Sequence, residues 1–403
     1  MGAYLPGADS PAWLAYVAFY AAGGLLLYVW FLYPALLAIL PRPRKDKDRS
    51  LSPQQAAEHF PFVSLIVAAY NEEHAIERTI RGFLESNYPG ESELLIISDG
   101  STDRTAEIAS GFLSNRVRLV AQSSHLGKGP ALARALPRTR GEILVFTDAT
   151  SVFEPQTLTE LVRPFADEKV GLVTGRVKVE GSAVAGLYRR YEETIERIEA
   201  RGGVISTAHG CLYALRRSLS CPHDPRLTND FFHPILVNLR GFDVVVAPEA
   251  VCTESYSPDS RVQFTRQVRM VSLAAFVYIK YLPVLIFTGK WRSLLVLTSH
   301  KALRWLTVPY LAILAFATFL LASQGTFYAV ASGAQLLFWC AVLVGGVARQ
   351  FGWNGRLTFA WDFVTLNWAG TLGLWNFWQG HLPTNWETTI LPSAARTPAP
   401  GGN

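Results

Sequence analysis

GEILVFTDATS, residues 141–151, is the stretch from which the chain is read. Residues 143–146 are a short apolar run that breaks at Thr147 and Asp148 into small polar residues. A buried parallel strand has this pattern at its carboxyl end. An acid there points into the crevice where open α/β sheets bind ligands. A carboxylate in that position suits Mg2+ or Mn2+, which take one or two protein carboxylates and fill their other positions with water and substrate phosphate oxygens. Asp148 is equally suited to capping the turn that follows, where aspartate is common. The rest of the chain decides between the two.

Upstream, 62–69, 94–98 and 117–121 are further strand candidates, and 73–85, 103–113 and 128–136 have helical periodicity. Strand and helix alternating at this spacing predict an α/β, mostly parallel, doubly wound sheet with ligands at the strands' carboxyl ends. The first strand ends in Tyr70-Asn71-Glu72 and the second in Asp99-Gly100-Ser101-Thr102-Asp103. Asp99 falls where an acid can accept hydrogen bonds from a ribose or base edge, Gly100 lets backbone approach, and Thr102 or Asp103 can cap the helix. Gly127-Lys128-Gly129 sits at a helix start, where a cation and backbone N–H groups can both meet a phosphate or a sugar.

Composition bounds the architecture. With 403 residues, 50% hydrophobic and 17% charged, the chain is too apolar for one soluble domain and too charged to lie wholly in lipid. The net charge of +5 is uneven: Arg42, Arg44, Lys45, Lys47 and Arg49 crowd one stretch, which fits an anionic membrane surface. No interleaving of basic and aromatic residues suggests nucleic acid as a partner. The 4 cysteines, Cys211, Cys221, Cys252 and Cys340, have no metal-ligand spacing and read as reduced and mostly buried, which places the soluble part in the cytosol. The 8 histidines show no paired metal spacing and read as structural or surface residues.

Residues 13–40 carry no charge and exceed the roughly 20 residues a bilayer requires. They read as a retained helix rather than a signal peptide. Residues 1–12 lack Lys and Arg while 42–49 are basic, so the amino terminus is expected outside and the next domain in the cytosol. Residues 50–60 read as a linker. The segment 183–200 is an amphipathic helix whose charges read as a solvated face. Residues 271–287, with Lys280 and Pro283, read as a helix along the membrane interface. Further spans are expected at 305–323, 325–348 and 363–380, followed by a Pro/Gly-rich, disordered tail. The domain reading is thus 1–50 span and basic segment, 51–265 cytosolic domain, 266–300 interfacial helices, 301–382 three spans and 383–403 tail.

Tyr70-Asn71-Glu72, Asp99-Gly100-Ser101-Thr102-Asp103, Gly127-Lys128-Gly129 and Thr147-Asp148-Ala149 together resemble the nucleotide-sugar elements of family-2 glycosyltransferases with the GT-A fold. The flanking spans resemble the membrane-bound branch that includes hyaluronan, cellulose and chitin synthases and the chitooligosaccharide synthase NodC. The resemblance implies that Tyr70, Glu72, Asp99 and Lys128 bind the donor, with Asp99 on the nucleoside. It implies that Asp148, the first acid of a DxD motif, binds Mg2+ or Mn2+ on the diphosphate. Thr150 replaces the second acid, so ion binding rests on Asp148 and the diphosphate itself.

Leu227-Thr228-Asn229-Asp230-Phe231 resembles the family's acceptor motif, with Asn229 in place of glutamate, and the matched Asp230 is implied as general base. Inverting transfer needs a carboxylate in hydrogen-bond reach of the acceptor hydroxyl. Phe231 and Phe232 would desolvate it and raise its basicity. His209 and Gly210 resemble the segment lining the acceptor site, a structural role for His209 standing as the alternative. Arg266-Gln267-Val268-Arg269-Met270 occupies the place of a QxxRW motif. Its arginines, three residues apart on one helical face, could grip a diphosphate or, alternatively, anionic lipid. Met270 replaces a tryptophan suited to stacking on sugar. Trp386-Glu387-Thr388-Thr389 resembles the family's carboxyl-terminal tryptophan segment.

The expectation is a multi-pass plasma-membrane inverting glycosyltransferase. It would use a nucleotide sugar, UDP-linked by preference, with a saccharide or lipid acceptor and possible partner subunits. The alternative is a non-catalytic membrane scaffold of a synthase complex, suggested by the departures at Thr150, Asn229 and Met270.

Overall fold

The computed structural model describes residues 13–39, 60–180, 183–221, 224, 226–255, 260–353 and 355–382. The expectations for 1–12, for the basic stretch 42–49, for the linker up to 59 and for 383–403, Trp386 included, fall outside the described residues.

Among the described residues eight strands form one sheet: β1 (Val63–Ala69), β2 (Ser92–Asp99), β3 (Val117–Gln122), β4 (Ile143–Asp148), β5 (Val152–Phe153), β6 (Val170–Glu180), β7 (Leu212–Arg216) and β8 (Asp243–Ser255). Their order is β3-β2-β1-β4-β7-β6-β8-β5. The expected parallel half is present, β1 pairing in parallel with both β2 and β4, and β2 with β3. Past β4 the sheet becomes mixed: β7 is antiparallel to β4 and β6, whereas β6 and β8 are parallel.

Every residue of β1 and β2 is buried, because helices cover both faces. Val63, Leu65 and Val67 pack with Ile76, Ile80 and Phe83 of the Ile76–Leu84 helix. Ile66 and Ala68 point the other way, toward Ala131, Leu132 and Ala135 of the Lys128–Ala135 helix. Each such aliphatic side chain contributes about 1.5–3 kcal/mol on full burial. The resulting rigidity fixes the loops at the strands' carboxyl ends.

The amphipathic helix forms at Ala183–Ala200, but its charges are not a solvated face. Glu192, Glu196 and Glu199 are 6%, 3% and 0% exposed. Burial of carboxylates demands partners, and for Glu192 and Glu199 most of these come from distant parts of the chain, while Glu196 pairs with the nearby Arg189 and His209. Glu192 binds Arg304 Nη1 at 2.6 Å and His300 Nε2 at 3.0 Å. Glu199 takes His300 Nδ1 at 2.6 Å, the Tyr33 hydroxyl at 2.7 Å and the Ser206 amide at 2.9 Å. The Arg304 guanidinium also lies over Trp30, 4.5 Å from the ring centroid.

Two π-helical turns, Tyr28–Leu32 and Thr298–Ala302, supply or flank these groups and meet through Tyr28 and Ser299, 2.8 Å apart. Such turns insert a residue into a helix and re-aim its side chains, often at functional positions.

Among the described residues four helices are long and apolar enough to cross a membrane: Trp13–Ile39, Arg261–Phe287, Trp291–Gln324 and Thr326–Gln350. The second differs from the expected interfacial segment. Its helix runs unbroken over Ser260–Phe287, through Pro283 and across the expected boundary at 265/266, and its most apolar 18-residue window has a mean hydropathy of 2.0. The last expected span is the Phe359–Trp378 helix. It is not among the four, since Asp362, Thr365, Asn367 and Asn376 dilute its apolar character.

Candidate active site

The loops after β1 and β2 are bonded into one unit. Asn71 is in a left-handed conformation at φ 55°, and its side-chain oxygen accepts the Thr102 amide at 2.8 Å. The Glu72 amide donates to Thr105 Oγ1 at 2.8 Å, and Asp103 accepts the Glu73 and Thr105 amides. Asp103 thereby ties the start of the Thr105–Ser110 helix to the loop after β1, while Arg104 is the residue at the N-cap position.

Asp99 ends β2 with a fully buried side chain. Its carboxylate accepts the Gly127 amide at 2.7 Å and the Leu126 amide at 3.1 Å, and lies 2.9 Å from His125 Nδ1. Asp99, expected on the nucleoside, also anchors the loop that leads into Lys128. Gly100 is required next to it: at φ 69° an added Cβ would stand 2.4 Å from the His125 amide nitrogen.

Lys128 begins its helix and bonds the Asp148 carboxylate at the end of β4. Both side chains remain partly open to the cleft, 30% and 27% exposed. Burial opposes the charged amine, but Asp148 and then Asp230 outweigh it and hold the lysine above its ordinary range.

Asp230 opens the Asn229–Leu239 helix. Its main-chain oxygen accepts the Ala208 amide at 2.8 Å, which docks the His209–Gly210 segment against it. Gly210 faces the carboxylate so closely that an added Cβ would be 3.2 Å from Oδ2. Burial raises the Asp230 pKa, Lys128 opposes the rise and Asp148 adds to it.

Arg266 is exposed at the mouth of the cleft and senses the charges of Glu254, Asp148 and Asp230. Arg269 senses Arg266, Asp230 and Asp148, and its Nε is buried without a hydrogen-bond partner among the described residues. A donor left in that state is ready for an anion.

His209 is 8% exposed and turned away from solvent. Its Nε2 lies 3.0 Å from Glu196, and Arg189 bonds the same ring. The structural role left open for it is the one its contacts describe. Cys211 and Cys252 are buried free thiols with sulfurs 3.7 Å apart, and their hydrogen bond together with burial pushes the Cys211 pKa well up.

Sequence reasoning did not single out His125, which stacks on Tyr70 with ring centroids 3.8 Å apart, nor Glu254. The available signal for His125 was a planar donor two positions before Gly127.

Among the described residues no group of three or more His, Cys, Asp or Glu side chains could hold a metal ion. The carboxylate that sequence expectation places on an ion, Asp148, would share it with the oxygens of a bound phosphate. That set fits Mg2+ or Mn2+, which keep most positions for water and phosphate.

The mixed sheet with its charged carboxyl edge defines a GT-A-type domain joined to long apolar helices. Residues 64–220 match glycosyl transferase family 2, so the chain carries a glycosyltransferase domain of that family. Residue for residue, the chain is 26% identical over 220 residues to a poly-beta-1,6-N-acetyl-D-glucosamine synthase of Staphylococcus epidermidis, covering 52% of this chain and 53% of that protein. It is 37% identical over 150 residues to a beta-monoglucosyldiacylglycerol synthase of Trichormus variabilis, covering 35% and 30%. The chain spans about half the length of the first of these curated relatives. A mannosyltransferase from Pyrobaculum calidifontis, solved with GDP-Man and Mn2+, superposes with a TM-score of 0.68 at 21% identity over 92% of this chain and 99% of that one. The likeness in fold thus extends beyond the sheet to the apolar helices.

Proposed function

We propose that this protein is a membrane-embedded inverting glycosyltransferase. It would move a hexosyl or N-acetylhexosaminyl unit from a nucleotide sugar, UDP-linked by preference, to a growing β-linked oligosaccharide or polysaccharide. The observation that carries the reading is the convergence of Lys128, Asp148, Asp230, Arg266 and Arg269 on one cleft at the sheet's carboxyl edge. A binding scaffold has no need of a half-buried carboxylate of raised pKa beside a cationic pair.

In this reading Asp230 takes the acceptor hydroxyl's proton as the oxygen attacks the anomeric carbon. The cause of its basicity is the burial already described. Lys128, Arg266 and Arg269 neutralise charge gathering on the departing diphosphate. Asp148 would hold Mg2+ or Mn2+ against that diphosphate, where the ion supplies Lewis-acid stabilisation of the leaving group. Asp99 sets the loop from which Lys128 projects, with Tyr70 and Glu72 at the donor's nucleoside end. Gly210 lies on the acceptor side, leaving room beside Asp230, and His209 positions that segment through Glu196 and Arg189. The catalytic domain is assigned to the cytosolic face of the plasma membrane.

The saccharide acceptor is supported by the synthase named above. A lipid acceptor is the second reading, supported by the higher identity over a shorter span to the glucosyldiacylglycerol enzyme. Purified full-length protein in nanodiscs with Mn2+ or Mg2+, screened with UDP-glucose, UDP-N-acetylglucosamine, UDP-galactose and GDP-mannose, separates them by nucleotide release and product size. A polymer ladder supports the first reading and a single addition to lipid the second. No release with any donor removes the enzyme reading.

A further inference from the structure

Resting on the nucleotide-sugar reading of the same cleft, we propose that His125 stands in for the nucleobase, and that donor binds by displacing the imidazole. The ring makes the two contacts a base would need there. It stacks on Tyr70 with centroids 3.8 Å apart and planes 23° from parallel. Its Nδ1 sits 2.9 Å from the Asp99 carboxylate and 3.2 Å from the Asp99 carbonyl.

A planar heterocycle stacked on an aromatic face and aimed at a carboxylate is also what a bound base with a ring N–H presents. Uracil and guanine carry such an N–H, whereas the pairing edges of adenine and cytosine present a bare ring nitrogen to the same acceptor. The subsite that His125 fills therefore favours a base with such an N–H, as in UDP or GDP, over adenine and cytosine.

The surroundings are built for exchange rather than permanent closure. A carboxylate has about four acceptor positions, and at Asp99 the Leu126 and Gly127 amides take part of them from the main chain alone. Withdrawal of the imidazole frees an acceptor position without dismantling the loop. Ser123 and Ser124, just before His125, are exposed. Gly127, at φ 95°, gives the loop a left-handed pivot on its other side. The His125 side chain is 10% exposed, so a short outward swing reaches solvent.

Equilibrium titration of UDP and GDP into the full-length protein in detergent with Mg2+ tests this. His125→Ala removes the competitor, and the UDP Kd is expected to fall about tenfold, the size of one charge-assisted hydrogen bond. His125→Phe keeps the stack but not the bond to Asp99, and a smaller gain is expected. An unchanged or weaker UDP affinity in His125→Ala overturns the proposal. Binding that Asp148→Asn abolishes while His125→Ala leaves it untouched keeps the nucleotide site and rejects only the stand-in. Absence of UDP and GDP binding in the wild type and His125→Ala alike rejects the underlying reading and the stand-in with it.

Discussion

Gly210 lies against the Asp230 carboxylate, with room for nothing larger: a methyl group on its Cα would stand 3.2 Å from Oδ2. Gly210→Ala is therefore expected to push the base aside by a few tenths of an ångström without unfolding the domain. A displacement of about 1 Å can cost about 100-fold in rate, so a loss of roughly tenfold in kcat is expected with the UDP Kd unchanged. Steady-state kinetics with a nucleotide titration checks the split.

Asp230→Asn is expected to lower transfer by roughly 100- to 10,000-fold, the usual span for a general base. The same change is expected to stabilise the fold at neutral pH. A carboxyl whose pKa is raised on folding contributes stability below its unfolded value and loses it as pH rises through the folded value. The variant's gain in Tm is thus expected at pH 7–8 and absent at pH 4, and thermal denaturation at both values tests it.

The pH dependence of kcat/KM follows from the same carboxylate. Activity requires Asp230 ionised, so it is expected to fall on the acid side with a midpoint above the ordinary aspartate value of about 3.9. A profile whose acid limb is unchanged in Asp230→Glu, after allowing for its lower rate, would assign the limb elsewhere.

Chelation is expected to abolish nucleotide release and added Mn2+ or Mg2+ to restore it. With Asp148 as the protein's carboxylate toward the ion, Asp148→Asn is expected to raise the metal concentration for half-maximal activity at least tenfold. Activity titrated against free Mn2+ measures this.

Glu192→Gln is expected to destabilise the protein by about 3–5 kcal/mol, since it strips the partner from a buried Arg304. Although burial opposes ionisation of Glu192, His300, Lys301 and Arg304 outweigh it and hold the carboxyl well below the usual range. Its stabilisation is present above the unfolded carboxyl pKa and is lost as pH falls through the folded one. Thermal denaturation in detergent is expected to show the variant's deficit at pH 7 and its disappearance in strong acid.

The parallel half of the sheet was legible because strands covered on both faces must be apolar throughout, as at residues 63–69 and 143–146. The second half was not. β6 holds Gly171 and Gly175, β8 holds Pro248, and their partners are distant in sequence, so no local period marks them. Among site residues, Asp148 was legible as a polar break at a strand end and Lys128 by its place between glycines at a helix start, whereas Asp230 was reached only through the resemblance of its motif. Asp99 was legible in place, but its bonds to the Leu126 and Gly127 amides depend on a loop whose approach only the fold reveals. The buried face of Ala183–Ala200 misled for a related reason. Helical periodicity sorts charge from apolar residues, and it cannot see that His300 and Arg304, about a hundred positions away, neutralise that face.

The clasp between Glu192, Glu199, His300, Arg304 and Tyr33 also removes a common simplification. The sheet domain is no detachable cartridge: a soluble fragment ending before residue 260 would leave Glu192 without His300 and Arg304, and Glu199 without His300, inside a socket shaped for cations. Such a fragment is expected to misfold or aggregate. Any biochemistry on this protein has to begin with the apolar helices in place.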